Sequence, residues 1–269
     1  MGINGKGFSR PRAAHLALVA VWAAMMVAAR LVPTFPMWGV GGNFSLASVV
    51  TPLAGVFFGP VYGALSAAVG GLVGSMVAPH TAMLLGPFTF VTGTATAFTA
   101  GCIAWGGRFP VRISARGDFV INGGIIVYLL GTALWFSQEI GREAWLFPLV
   151  FYGAGFAALV AGSAFAGRLL AGGSRALKFP AVMACAFGGL VGGASVANFF
   201  GLALRNTPRE VWMGLVLTAP LERLAFSAAA AAVGVPLLLC LPKIGVFLGP
   251  QPDPERPGEI AGGGDGEQD

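Results

Sequence analysis

Residues able to do covalent or acid–base chemistry are few in this chain and stand far apart. The two histidines, His15 and His80, lie in separate stretches. Gly74-Ser75 and Gly162-Ser163 hint at an intramembrane serine hydrolase, but neither has a histidine at a suitable depth on another helix, as a nucleophile–base pair requires. Cys102, Cys185 and Cys240 fall singly inside apolar stretches, the pattern of packing rather than of a disulfide framework or a metal site. GxxxxGK[ST] is absent, so the chain carries no phosphate loop for ATP. No enzyme activity, cofactor or metal is expected.

Binding chemistry is better represented. Pro220-Leu221-Glu222-Arg223 interrupts an apolar run. Adjacent charges inside a membrane helix are costly and mark a pathway, a pair or a ligand contact. Consecutive helical positions point about 100° apart, and a structural pair and a ligand contact both fit. Asn198 sits within a second apolar run. Aromatic and polar residues gather at Trp38, Asn43 and Phe44, at His80 and Thr81, around Trp135, Gln138, Glu139, Glu143 and Trp145, and around Arg205, Asn206, Glu210 and Trp212. From these, the candidate substrate-binding set is Trp38, Asn43, Phe44, His80, Trp135, Gln138, Asn198, Glu222 and Arg223. The tryptophans serve equally well as interfacial anchors.

The elements that must position this set follow from composition. Of 269 residues, 56% are hydrophobic and only 10% charged, with 42 glycines and a mean hydropathy of +0.78. A globular domain is about one quarter charged. No Asp, Glu, Lys or Arg occurs between Arg30 and Arg108, and a span needs roughly 20 mainly apolar residues. The chain therefore reads as an all-α, polytopic membrane bundle whose backbone satisfies itself as helices. Eight helices are predicted near 13–32, 46–58, 60–78, 84–105, 118–137, 146–168, 179–204 and 211–241, the second being short. The first is read as a retained helix rather than a cleaved signal.

The basic residues orient the bundle. With the N-terminus inside, the cytoplasmic side receives Lys6, Arg10, Arg12, Arg108, Arg112, Arg116, Arg168, Arg175, Lys178, Lys243 and Arg256. Arg30, Arg142, Arg205 and Arg209 fall outside, and Arg223 lies within a span. Both termini are then cytoplasmic, and the net charge of +5 needs no nucleic-acid partner. Residues 1–12 form a cytoplasmic segment and 13–248 the bundle. Residues 249–269, rich in proline, glycine and acid, form a disordered cytoplasmic tail.

Small residues recur at helical spacing. Gly59, Gly63, Ala67, Gly70, Gly71, Gly74 and Ala78 share a face, as do Gly189, Gly193, Ala197 and Gly201. Such stripes allow close backbone approach, the main source of cohesion where lipid cancels the hydrophobic gain. Ala13, Ala17, Ala20, Ala24 and Ala28 form a third stripe, for which packing inside the bundle and a smooth partner-facing surface fit equally.

The stretch FSLASVVTPLAGVFFGPVYGALSAAVGGLVGSMVAP, from Phe44 to Pro79, resembles a segment of the substrate-binding S components of energy-coupling factor (ECF) transporters. Ala20-xxx-Ala24-xxx-Ala28 matches their AxxxA pattern, and LLGPFTFVTGTATAFTAGCIAWG and APLERLAFSAAAAAVGVPLL are similar to family segments. The likeness covers roughly 13–105 well and 211–241 loosely. It implies a vitamin-importing subunit of an ABC importer, with an outward-facing pocket and a lid from Trp38 to Phe44. It also implies docking of a transmembrane coupling subunit on Ala20, Ala24 and Ala28, and two cytoplasmic ATPases that supply energy. The family usually has six helices, so two near 118–168 would be an extra pair. An ion-coupled secondary transporter and a ligand-sensing membrane protein remain alternatives. The ligand stays open among flat, polar, partly anionic molecules.

Overall fold

The computed structural model of the protein describes residues 12–36, 43–79, 88–106, 108–114, 117–172 and 174–251. The architecture is an all-α bundle with two short antiparallel strand pairs. In chain order it comprises α1 (Arg12–Arg30), β1 (Pro33–Pro36), β2 (Asn43–Ser45), α2 (Ala47–Val77), α3 (Thr89–Trp105), β3 (Arg108–Ser114), β4 (Gly117–Asn122), α4 (Gly123–Ser137), α5 (Glu139–Glu143), α6 (Leu146–Gly172), α7 (Arg175–Arg205) and α8 (Arg209–Cys240). Strand β1 pairs with β2, and β3 with β4. Among the described residues, four helices are long and apolar enough to cross a membrane by length and composition: α2, α6, α7 and α8 with the 3-10 turn that extends it to Ile244. Leu16–Arg30 and Gly123–Ser137 are shorter apolar helices. This is the build of a helical membrane protein.

Helix α2 is long in sequence but does not run straight. Gly59 adopts φ 83° and ψ 176°, a conformation that glycine reaches without a Cβ clash, and Pro60 has no N–H with which to continue the helix. The chain folds back there. A Cβ placed on Gly63 would lie 2.6 Å from Ala54 O, whereas eight residues of unbroken helix would separate Gly63 from Gly55 by about 12 Å. Segments 47–58 and 60–77 are thus two helices side by side, as the Gly-Pro pair predicts. The break orphans carbonyls at the end of the first segment, and each needs a donor. Trp105 Nε1 donates to Val56 O at 2.8 Å, and Gly249 N donates to Phe57 O at 3.0 Å.

One sequence expectation needs correction. Residues 118–122 belong to strand β4, and helix α4 begins at Gly123. Asn122 ends the strand and caps the helix, accepting from Gly124 N at 2.8 Å. Its Nδ2 donates to Cys102 O and to Ser163 Oγ, at 3.1 and 2.9 Å, tying α3, α4 and α6 together. Gly249, where the tail is expected to begin, is bonded to Phe57, and Leu248 is buried. Residues 252–269 lie outside the described residues.

The core centres on α3, which packs mainly against α2 and α7, with Leu53, Ile103, Leu159, Val182 and Val191 fully buried. The glycine stripes set these approaches. A Cβ on Gly55 would overlap Ala97 O and lie 2.7 Å from Gly101 N, backbone atoms of α3. A Cβ on Gly70 would lie 2.8 Å from Ala23 O in α1. Gly55→Ala is expected to destabilise the bundle by about 1–3 kcal/mol, the cost of overpacking a tight core. The check is the thermal midpoint in detergent, and an unchanged midpoint would contradict the α2–α3 contact.

Helix α1 turns Trp22, Ala23 and Met26 inward, and its Val19 O accepts from Ser66 Oγ of α2 at 3.0 Å. Ala17, Ala20, Ala24 and Ala28 are exposed, as are Leu16, Val21 and Met25 between them. Of the two readings for this stripe, the structure leaves it on the outer surface. The Ala13 side chain lies outside the described residues.

Candidate ligand cavity

A partly open cavity of about 160 Å³ lies where α1, β2, α2, α3, α7 and α8 converge. Its wall is built from short polar side chains on apolar helices. From the end of α1 comes Arg30. Strand β2 and the first turns of α2 bring Asn43, Phe44, Ser45, Ser48 and Thr51. Helix α3 contributes Thr89, Thr92 and Thr96, spaced three and four apart and so on one face. Leu190, Ala194 and Asn198 of α7 and Arg223 of α8 close the far side. Arg223 stands about 21 Å along α8 from Arg209, at ~1.5 Å per residue, which places it well inside the bundle.

Each basic group has an identifiable support. Arg30 is 8% exposed and lies in a groove opened by the α2 stripe. A Cβ on Gly74 would overlap Arg30 Cδ and lie 3.0 Å from its Nε. The answer to why α2 is so poor in side chains is therefore twofold: it packs closely on α1 and α3, and it leaves room for one arginine. Gly74→Leu is expected to push Arg30 out of the wall and weaken ligand binding about tenfold, with a smaller effect on the thermal midpoint. Equal ligand affinity in this variant would remove Arg30 from the site. Arg223 rests its Cζ 4.8 Å from the centroid of the Phe44 ring, a cation–π contact. Phe44 in turn meets Phe226 edge-on at 5.1 Å. Arg223 Nε is buried with no hydrogen-bond partner among the described residues, and so is Thr92 Oγ1.

The cavity gathers Asn43, Phe44, Asn198 and Arg223 from the sequence-predicted set. It leaves out three others. Trp135 is fully buried among Phe147, Tyr152 and Trp212. Its Nε1 donates to Gly141 O at 2.7 Å, so it anchors α5 to α4. Gln138 donates to Ser137 Oγ at 3.1 Å in an exposed position. Glu222 does not line the cavity, although its Oε1 is buried without a hydrogen-bond partner among the described residues. Trp38 and His80 lie outside the described residues.

No family model matches the chain, nor does any curated protein or solved structure. The site's chemistry is therefore read from its own residues. Those missed from sequence are Arg30, Ser45, Ser48, Thr51, Thr89, Thr92 and Thr96. Two signals could have found them. Arg30 is the only Asp, Glu, Lys or Arg between Arg12 and Arg108, and the threonines of α3 repeat on a single helical face. Among the described side chains, none of residues 122–172 lines the cavity. Helix α6 reaches it only indirectly, where Asn198 Nδ2 donates to Tyr152 OH at 3.3 Å.

Proposed function

We propose that this chain is the substrate-binding membrane subunit of an ECF-type ABC importer, taking a vitamin or related micronutrient from outside. The observation that carries the reading is the polar cavity enclosed by apolar helices, with the ends of α1 and α7 and the start of α3 beside it. The distribution of Lys and Arg assigns that end of the bundle to the exterior. The broken α2, with two segments side by side, counts as two helices and gives eight in all, with both termini cytoplasmic. On this reading α4 and α6 are the extra pair that backs α3 and α7 without touching the ligand. The exposed alanines Ala20, Ala24 and Ala28 suit close docking of a transmembrane coupling subunit. No covalent step is assigned to this chain, and energy comes from two separate cytoplasmic ATPases.

The test is purification from native membranes followed by uptake. Retention of a membrane subunit with two ATPases, together with loss of uptake when those ATPases are disabled, is the expected result. Uptake that survives their loss but collapses with a proton ionophore would overturn it. That outcome belongs to an ion-coupled carrier, favoured by Glu222 Oε1, which is buried without a hydrogen-bond partner among the described residues, since intramembrane carboxylates serve proton relays. Ligand binding with no uptake under any condition would mark a sensor.

A further inference from the structure

The cavity contains two guanidinium groups and no carboxylate among the described residues. A buried charge with no acid beside it is costly in a membrane bundle, and among the described residues no acid lines the wall next to either arginine. Arg30 makes no hydrogen bond or ion pair with a described residue, and Arg223 Nε is buried without one. The first acidic residue in the sequence is Asp118, so residues 37–42 and 80–87 contain none. Glu222 is the nearest acid in sequence to Arg223. It projects about 100° away around α8 and offsets part of the Arg223 charge, but it is absent from the wall and leaves the cavity side of the guanidinium without an acid.

We propose that the cavity recognises an organic anion, a carboxylate or phosphate on a body about the size of one ring, with Arg30 and Arg223 as its counter-charges. The assignment rests on the reading of the cavity as a substrate site. Three observations converge on it. The first is the pair of arginines with no acid in the described wall beside them. Second, the rest of the polar wall is hydroxyl and amide, from Ser48, Thr92 and Asn198, groups that donate hydrogen bonds to an acceptor-only anion. Third, about 160 Å³ compares with the roughly 150 Å³ that accommodates benzene. Arginine forks match carboxylate and phosphate oxygens in pairs, and Phe44 holds the Arg223 guanidinium by its face.

The experiment measures thermal unfolding of the purified full chain in phosphate-free detergent buffer. The probes are benzoate, nicotinate and phenyl phosphate, each against a neutral counterpart (benzamide, nicotinamide, phenol). At about 100 times Kd a bound acid raises the midpoint by roughly 5–10 °C, and the neutral partner leaves it unchanged. Arg30→Met and Arg223→Met each lose at least about tenfold in affinity for the acid. Without probe Arg30→Met melts at or above the wild-type midpoint, because a buried charge with no acid beside it has been removed, whereas Arg223→Met also leaves Glu222 without its counter-charge and melts lower. Equal stabilisation by acid and amide, or no response to any anion, overturns the proposal. So does an undiminished response in both variants.

The source of the anion is separated by nanodiscs. If phosphatidylglycerol raises the midpoint over phosphatidylcholine and the acids then add nothing, the anion is a lipid headgroup. Additive stabilisation by the acids identifies a solute. Acid binding without ATPase-dependent uptake keeps anion recognition and removes the importer reading. ATPase-dependent uptake of a neutral solute does the reverse.

Discussion

Arg223→Ala lowers affinity for the tightest-binding acid of the probe set by about 100-fold and leaves the bundle folded. Truncating a buried charge that faces an opposite charge costs ~2–5 kcal/mol, and about 1.4 kcal/mol is a factor of ten. Ordinarily such a change also strands a partner within the protein. Here the guanidinium rests on the Phe44 ring and its charge is offset in part by Glu222, so a smaller part of the loss falls on fold stability. The two effects separate by measurement: calorimetric titration for affinity, thermal midpoint for folding. Phe44→Leu should act in the same direction but more weakly, since a cation–π contact contributes about 0.5–2 kcal/mol. The double variant should fall short of the sum, because one residue works through the other. Full wild-type binding by the purified Arg223→Ala protein would reduce Arg223 to a packing role.

Ala24→Leu is the second large effect, and it is expected to divide binding from transport. Ala24 is exposed on α1, on the far side of the helix from Trp22 and Met26, and takes no part in the cavity. Leucine there meets lipid in the isolated subunit at little cost. In a complex that relies on close backbone approach through small residues, the added carbons overpack the joint by ~1–3 kcal/mol. That corresponds to roughly 10–100-fold weaker docking. Uptake should drop accordingly while the titrated acid affinity stays at the wild-type value. Uptake at the wild-type rate would show that the alanine face is not where a partner sits.

The helices were largely legible because apolar runs punctuated by charge and proline admit few other readings. Even the reversal inside α2 is written in Gly59-Pro60, one residue free to take positive φ and the next unable to donate. The strand pair β3–β4 was less so. Phe119, Val120 and Ile121 are apolar enough to merge with the helix that follows, and only Asn122, as a cap, divides them. Within the site, Asn43, Asn198 and Arg223 stood out as polar groups in apolar surroundings. Arg30 did not, because an arginine at the end of a span looks like an ordinary loop charge. It became part of a wall only through Gly74, on another helix. The threonines of α3 escaped notice for a related reason: a hydroxyl can bond back to its own helix, as Thr94 does to Phe90 O at 2.8 Å. Nothing in the sequence distinguishes such a residue from Thr92. Trp135 failed in the opposite direction, since an indole near a span end suits an interface belt as well as the buried aromatic cluster it joins.

The bond from Gly249 N to Phe57 O bears on the order in which the protein assembles. Phe57 belongs to an early helix and its carbonyl is orphaned as soon as the chain turns at Gly59. The donor that satisfies it is synthesised only after α8 has been completed. During translation the turn can lean on Trp105 once α3 is made, but not on Gly249. The first hairpin of the bundle is thus provisional until the last segment returns to fasten it. A chain interrupted between Leu241 and Gly249 would insert all its helices and still leave that hairpin unlatched, a ready mark for membrane quality control.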